Sequence, residues 1–373
     1  MTDATAATRL VCTILRRAGV VIVSLGLFLV PAERAVAEGP SSPVSLVPVS
    51  DLTLSGPEEG PSSEHPSSGL ELAPADHQLA DHDAPPAQTA DDIEPKSSVE
   101  RWSYRALPYL IPIGVAAGGL ENSLTDSRLQ SFRFTNEGYF GSKTYAGGAD
   151  KASHFVDYTI VSREIAYLYH TLGYSENASI LLGLGVGFLG GLANEIGDGF
   201  NQYGFSFQDL AMDSAGAVTS ALVLAMRTQD LVGSRYGFLL PKSKATCCMV
   251  VGPGRDYSYE IYTVDLKLAG AGRRLGANIG PLRYLLFSVT YGTKFYPTGE
   301  PDLRERQVGF EIGLNFEEIL TSLGVRRDTW WGYGLHVVFD NTRFPFTSVG
   351  FQYDLNHHRW YGPGNGNQYS TTP

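Results

Sequence analysis

The stretch that decides the fold is residues 147–217, which read GGADKASHFVDYTIVSREIAYLYHTLGYSENASILLGLGVGFLGGLANEIGDGFNQYGFSFQDLAMDSAGA. Its long apolar runs are interrupted by acids and a histidine at helical spacing. Asp150 and His154 are four residues apart, as are Asp209 and Asp213. Such spacing places both members of a pair on one helix face. Because buried carboxylates are costly unless they meet a cation, a metal or hydrogen-bond donors, the stretch predicts a polar site between apolar helices.

The candidate site has seven side chains, and three interpretations of it stay open. Histidine and carboxylates are ligands for Zn, Mn or Fe in a helical bundle. Alternatively, Lys151 and His154 hold an anionic headgroup while a carboxylate acts as general base. The third interpretation is a buried polar network that fixes the register of the helices. The seven candidates are Asp150, Lys151, His154, Glu195, Asp198, Asp209 and Asp213.

The first half of the folded region is predicted to be helical. Ser206 is a predicted N-cap, and Asp209 suits the first turn that follows it. The apolar runs are shorter than the roughly twenty residues that cross a bilayer, so they predict membrane association without a full span. Glycines at this density indicate tight helix packing. The four predicted helices are about Tyr104–Leu124, Lys151–Leu172, Glu176–Ile196 and Phe207–Arg227.

The second half changes to a period of two, which is typical of strands with one apolar face. The pattern predicts an antiparallel sheet of about five or six strands. Its apolar face is expected to pack on the helices, and the alternative is a face turned to lipid. The candidate strands are Tyr257–Leu268, Arg283–Phe295, Val308–Phe316, Tyr333–Phe339 and Val349–Leu355.

The N-terminal hundred residues divide into two segments. Residues 1–37 have a basic start, a short apolar run and an Ala-Val-Ala ending, which predicts an export signal. Residues 38–100 contain 13 acids and 1 base and are rich in Pro and Ser, which predicts a disordered tail. The acidity of the chain lies in this tail, because the total of −11, less −12 for the tail and +2 for the signal, leaves −1 for the rest.

Cys247 and Cys248 are adjacent, so they provide no disulfide framework.

Three separated blocks of sequence carry a family resemblance. They are Asp150-Lys151-x-x-His154-Phe155, then Glu195-x-x-Asp198-Gly199, then Gly204-Phe205-Ser206-x-x-Asp209-x-x-x-Asp213-x-x-Gly216. The chain resembles the YfiM-like family (domain of unknown function 2279), which consists of bacterial periplasmic or lipoprotein-type envelope proteins. It is more distantly similar to VanZ-like membrane proteins. The resemblance implies an envelope address, although the chain has no cysteine after the apolar run of the signal, where a lipoprotein would carry one.

These observations predict an exported α+β protein of the bacterial cell envelope, a four-helix apolar bundle followed by an antiparallel sheet. The predicted segments are a signal peptide (1–37), a disordered linker (38–100), a helical domain (101–230) and a β-rich region (231–373). Membrane lipid is the predicted partner. Nucleic acid is excluded because the folded region has no basic, aromatic-lined stripe. The predicted role is structural or in envelope assembly. The alternative is a lipid- or peptidoglycan-directed hydrolase or binder, with or without a metal, and no cofactor is assigned.

Overall fold

The computed structural model describes residues 98–125, 129–239, 257–296, 301–327 and 329–364. The predicted export signal, nearly all of the predicted disordered tail and the Cys247–Cys248 pair lie outside these described residues. The predictions about them therefore stay predictions. The last three residues of the predicted tail, 98–100, are described and are helical instead of disordered, because the first helix begins at Ser98.

Helices occupy all four positions predicted in the first half of the fold. They are α1 (Ser98–Thr125), α2 (Ala149–Thr171), α3 (Glu176–Gly199) and α4 (Phe207–Ala225). Three shorter helices follow within the described ranges, α5 (Leu268–Arg274), α6 (Phe316–Ser322) and α7 (Trp330–Asn341). The predicted cap is present, since Ser206 Oγ accepts from the N–H of Asp209. A cap that was not predicted is Ser175, whose Oγ accepts from the N–H of Ala178.

The long helices form a closely packed group in which α2 contacts both α3 and α4, and α1 contacts α3. Ile111, Ile165, Tyr169 and Val186 form a buried apolar core between α1, α2 and α3. Gly183 lets α3 approach α2 closely, because a Cβ there would lie 2.5 Å from the backbone oxygen of Ser162. By length and composition α3 could cross a membrane, although 50% of its apolar window is buried within the protein.

The second half forms a mixed sheet of seven strands in the part of the chain that is described. The strands are β3 (Val232–Phe238), β4 (Glu260–Lys267), β5 (Leu285–Lys294), β6 (Glu305–Leu314), β7 (Thr342–Arg343), β8 (Ser348–Asp354) and β9 (Arg359–Gly364). Their order is β7-β3-β4-β5-β6-β8-β9, with β3 and β7 parallel and the other neighbours antiparallel. Two short strands in the helical half, β1 (Phe134–Thr135) and β2 (Phe205–Ser206), pair in parallel. The α+β class is confirmed, but the described residues form seven helices and a main sheet of seven strands, and that sheet is not purely antiparallel.

The face of the sheet that is buried is the opposite of the one predicted. Phe310 and Ile312 were expected to pack on the helices, yet they are 59% and 47% exposed. Between them Glu311 is buried and forms a two-bond ion pair with buried Arg343. The period of two identified the two faces correctly. It did not reveal that the polar face is the buried one, where its charged side chains form ion pairs with one another.

The predicted strand Tyr333–Phe339 is wrong, because these residues lie in helix α7. Thr329 caps the helix by accepting a hydrogen bond from the N–H of Gly332 at 3.2 Å. The helix brings His336 into the interior, where Nδ1 lies 2.5 Å from Glu317 and Nε2 lies 2.8 Å from the oxygen of Val325. These contacts with residues distant in sequence stabilise the helix over the strand that the alternation of Tyr, Leu, Val and Phe predicts. Strands β1, β2, β3, β7 and β9 were not predicted.

Candidate functional site

Three of the candidate side chains come from the first turns of α2. The helix begins after Gly148, whose φ of 97° is a left-handed conformation that suits glycine. This start points Asp150, Lys151 and His154 toward the N-terminal half of α4, because α2 and α4 pack side by side. The other candidates come from α3 and α4. Six of the seven side chains therefore meet in one buried cluster, called here the His154 cluster: Asp150, Lys151, His154, Glu195, Asp209 and Asp213.

Lys151 is the cationic centre of one side of the cluster. Its ammonium lies 2.5 Å from Asp209 Oδ1, 2.6 Å from Glu137 Oε2 and 2.8 Å from Asp150 Oδ2. Burial alone would lower the pKa of Lys151, but the three acids outweigh burial and raise it. Burial alone would raise the pKa of Asp150, yet Lys151 and His154 outweigh burial and lower it. Lys151 is therefore a charged lysine, only 2% exposed, and its three donor directions are occupied by protein carboxylates.

His154 connects the two sides of the cluster. Its Nδ1 lies 2.7 Å from Asp213 Oδ1. Its Nε2 lies 3.9 Å from Asp150 Oδ1 and 3.8 Å from Asp209 Oδ1. Burial would lower the pKa of His154, but the charges of Asp213 and Asp209 and the hydrogen bond to Asp213 raise it. The imidazole is thus oriented by one carboxylate and faces two others.

Glu195 and Asp213 form the second side of the cluster and are 1% and 0% exposed. Glu195 Oε2 accepts a hydrogen bond of 2.8 Å from the N–H of Ser206, the N-cap of α4. The other oxygen of Glu195, Oε1, and Asp213 Oδ2 are buried and accept no hydrogen bond. Burial raises the pKa of Glu195 to about 9, and burial also raises the pKa of Asp213 despite the attraction of His154. In the absence of a cation, a proton is the expected neutralising partner of Glu195 at neutral pH.

The seventh candidate, Asp198, lies at the C-terminal end of α3 and has different partners. Its Oδ1 accepts from Asn201 Nδ2 at 2.7 Å, and its Oδ2 accepts from Asn194 Nδ2 at 3.3 Å. Its backbone oxygen also accepts from the N–H of Gly204 at 2.9 Å. Asp198 therefore organises the turn between α3 and β2.

Two members of the site were missed from the sequence. Glu137, from the loop before α2, pairs with Lys151, and the hydroxyl of Tyr257 donates to Asp150 Oδ1 at 2.5 Å. Tyr257 is 107 residues distant from Asp150, so no local spacing pointed to it. Glu137 is the one acidic residue in the Gly-rich loop 136–148, and only its charge indicated that it could belong to the site.

A pocket of about 490 Å³ borders the cluster at Glu137. Arg133 and Lys143 supply positive charge to its wall, and Tyr145 and Tyr203 supply aromatic surface. Burial and the repulsion of Asp150 raise the pKa of Glu137 to about 8, although Lys151 opposes them. The alternative prediction of a lipid- or peptidoglycan-directed hydrolase or binder needs a place for its ligand, and this pocket borders the cluster.

Residues 136–225 match the model of a family described as a predicted periplasmic lipoprotein (DUF2279). This segment contains all seven candidate residues and Glu137. No curated protein and no solved structure matches the chain. The resemblance to DUF2279 is thus confirmed for this segment, while the YfiM-like and VanZ-like links stay predictions. The description supports the predicted periplasmic, exported address, and it names no reaction.

Proposed function

We propose that the protein is an exported, membrane-associated component of the cell envelope with a structural or assembly role, and that the outer face of its sheet contacts lipid. The observation that carries this proposal is the reversed polarity of the sheet. The outer face consists of the exposed apolar residues Val264, Leu266, Phe287, Val289, Phe310, Ile312, Leu314, Val349, Phe351 and Trp360, which are 37% to 62% exposed.

The outer face is continuous across neighbouring strands. One row of paired residues runs Val264, Val289, Phe310 and Phe351 across β4, β5, β6 and β8. A second row, Leu266, Phe287, Ile312 and Val349, runs across the same four strands. Strands lie about 4.8 Å apart, so adjacent side chains in each row touch and form one apolar surface. A patch of this kind marks a binding surface for lipid or protein.

The inner face of the sheet is polar, and this polarity favours lipid over water as the environment of the outer face. Arg235 pairs with Asp265 at 2.6 Å, and Arg343 pairs with Glu311 at 2.8 Å, all four side chains being buried. In water, a sheet with one solvated face turns its polar side outward. Strands that contact lipid have the opposite arrangement, apolar outward and polar inward.

The family description agrees with an envelope protein, and the lipid contact proposed here is made by the outer face of the sheet and not by a lipid anchor. The helical half also presents apolar side chains to its surroundings, among them Leu181 at 66% and Leu222 at 55% exposure. The proposal concerns contact with lipid and assigns no crossing of the bilayer.

A structural role agrees with the closed character of the His154 cluster. Lys151 is saturated by carboxylates, and Asp213 has no exposed surface. The contacts of Lys151 with Asp209 and of His154 with Asp213 hold α2 against α4, and the hydrogen bond from Ser206 to Glu195 holds α3 against the start of α4.

Vesicle flotation of the full chain tests lipid contact. Phe310→Ser with Phe351→Ser removes a cross-strand pair whose rings are half exposed. Half-burial of two phenylalanines in lipid contributes about 2 kcal/mol, so we expect partition into phosphatidylethanolamine–phosphatidylglycerol vesicles to fall roughly thirtyfold. The circular dichroism spectrum is expected to stay unchanged.

The matched control is Leu323→Ser, which alters a side chain that is 74% exposed but lies beyond α6, off the outer face. If the double variant floated with the vesicles as well as the wild type does, lipid contact by this face would be refuted. An equal loss in Leu323→Ser would show that general hydrophobicity, and not the outer face, governs partition.

A further inference from the structure

Three side chains on three helices bring potential metal ligands together at the second side of the His154 cluster. His154 from α2, Glu195 from α3 and Asp213 from α4 each offer one ligand atom, and these atoms all lie within 4.8 Å of one another. One nitrogen and two carboxylate oxygens form a mixed ligand set. Imidazole suits Zn and Fe, whereas carboxylate suits Mn as well as Zn.

The second observation is that this group contains unsatisfied buried oxygens. Glu195 Oε1 and Asp213 Oδ2 accept no hydrogen bond, although their residues are 1% and 0% exposed. Buried polar atoms are almost always paired, so such an orphan indicates a missing ion, water or proton. Two orphans on two acids beside the same imidazole indicate a shared partner with positive charge.

The neighbouring group of acids is already neutralised and does not need a cation. Asp150, His154 and Asp209 also bring ligand atoms together, but the ammonium of Lys151 lies 2.8 Å from Asp150 and 2.5 Å from Asp209. A metal ion there would have to displace a buried lysine or lie against its charge. The two sides of the cluster thus differ, since the ammonium of Lys151 lies against the acids of one side, whereas the buried acids of the other side face only the imidazole of His154.

We propose that His154, Glu195 and Asp213 bind one divalent transition-metal ion, with Mn²⁺ and Zn²⁺ as the cations that fit the nitrogen and oxygen ligands. The ion would neutralise the two buried carboxylates and hold α2, α3 and α4 together.

The surroundings of these three ligands resemble the outer shell of a metal site. The N–H of Ser206 fixes one oxygen of Glu195 at 2.8 Å and leaves the other for the ion. Gly191 of α3 lies against Asp213, because a Cβ there would be 2.6 Å from Oδ2. The absence of a side chain at Gly191 keeps space around that oxygen.

A third group of the same residue types provides the control. Glu305, Asp354 and His357 also offer ligand atoms within 4.8 Å of one another. In both groups Nδ1 faces a carboxylate, but His357 Nε2 also lies 2.9 Å from the backbone oxygen of Asp302, whereas His154 Nε2 lies 3.8 Å from Asp209. This group therefore has no ligand nitrogen to spare.

The test is metal binding by the full chain in detergent after treatment with a chelator. We expect isothermal titration with MnCl₂, and separately with ZnCl₂, to show one ion per chain. Glu195→Gln and Asp213→Asn should each weaken binding at least tenfold, whereas His357→Gln should bind like the wild type. Electron spin-echo spectroscopy of bound Mn²⁺ should show coupling to an imidazole nitrogen that persists in His357→Gln and disappears in His154→Gln.

The proposal is overturned if neither metal binds at millimolar concentration, if Glu195→Gln and Asp213→Asn bind normally, or if His357→Gln loses binding. Should an acid variant fail to fold, as judged by circular dichroism, the nitrogen coupling in the wild type and in His357→Gln decides. Its absence from either protein overturns the site, and its presence in both supports it. None of these outcomes depends on lipid contact, so the two proposals succeed or fail separately.

Discussion

Replacing Lys151 by methionine tests whether the His154 cluster stabilises the fold. The change keeps most of the apolar stem and removes an ammonium that lies 2.5 to 2.8 Å from Asp209, Glu137 and Asp150. Breaking a buried ion pair by removing one partner typically costs 3–5 kcal/mol, because an uncompensated charge stays behind. For a domain of this size each kcal/mol lowers the melting temperature by about 2–4 °C, so we expect a decrease of roughly 6–20 °C.

The destabilisation should depend on pH. In the variant, Asp150 loses the lysine that opposes its burial, so its pKa rises from the depressed value that it has beside Lys151. Protonation then relieves the buried charge as the pH falls, and the difference in melting temperature between wild type and variant should be smaller at pH 5 than at pH 8. Thermal unfolding followed by circular dichroism in detergent measures both effects.

Lys143→Met is the matched control, because Lys143 is exposed at the rim of the neighbouring pocket. Exposed substitutions usually change the free energy of unfolding by less than about 0.5 kcal/mol. If Lys151→Met lost no more stability than Lys143→Met at pH 8, the cluster would not hold the helices together, and the structural role would be refuted.

Two further predictions concern α3 and the loop before α2. Gly191→Ala should lower the free energy of unfolding by about 1–3 kcal/mol, because its Cβ would lie 2.6 Å from Asp213 Oδ2. The control is Gly185→Ala, which should raise the free energy of unfolding by up to about 1 kcal/mol, because nothing lies within 4 Å of its Cβ. Denaturant titration measures both, and equal effects of the two substitutions would contradict this packing. Glu137 has a folded pKa of about 8, above its unfolded value, so its contribution to stability is lost as the pH rises from about 4.5 to 8. Glu137→Gln should therefore show a shallower decline in melting temperature between pH 5 and 9, where Asp150 stays ionised, and an unchanged slope would contradict the raised pKa.

The helices and their polar residues were predictable because the relevant information is local. The spacing of Asp150 and His154, and of Asp209 and Asp213, indicated shared helix faces, and the structure brings all four side chains into one cluster. Ser206 was recognisable as a cap from its position alone, since capping involves only the next three residues. Glu137 and Tyr257 were not recognisable, because their contacts with the cluster depend on how the loop and the sheet meet α2.

The sequence by itself determined that the chain has a helical half followed by strands, which faces of those strands are apolar, and which acids share a helix face with a basic side chain. Only the tertiary structure decided which face of the sheet is buried. Periodicity is symmetric between inside and outside, and the inward polar face is stable only because distant partners such as Arg343 and Glu311 meet. The same is true of the residues around Tyr333, which alternate like a strand yet form a helix that places His336 against Glu317. Long-range pairing energy, absent from any local pattern, decided both.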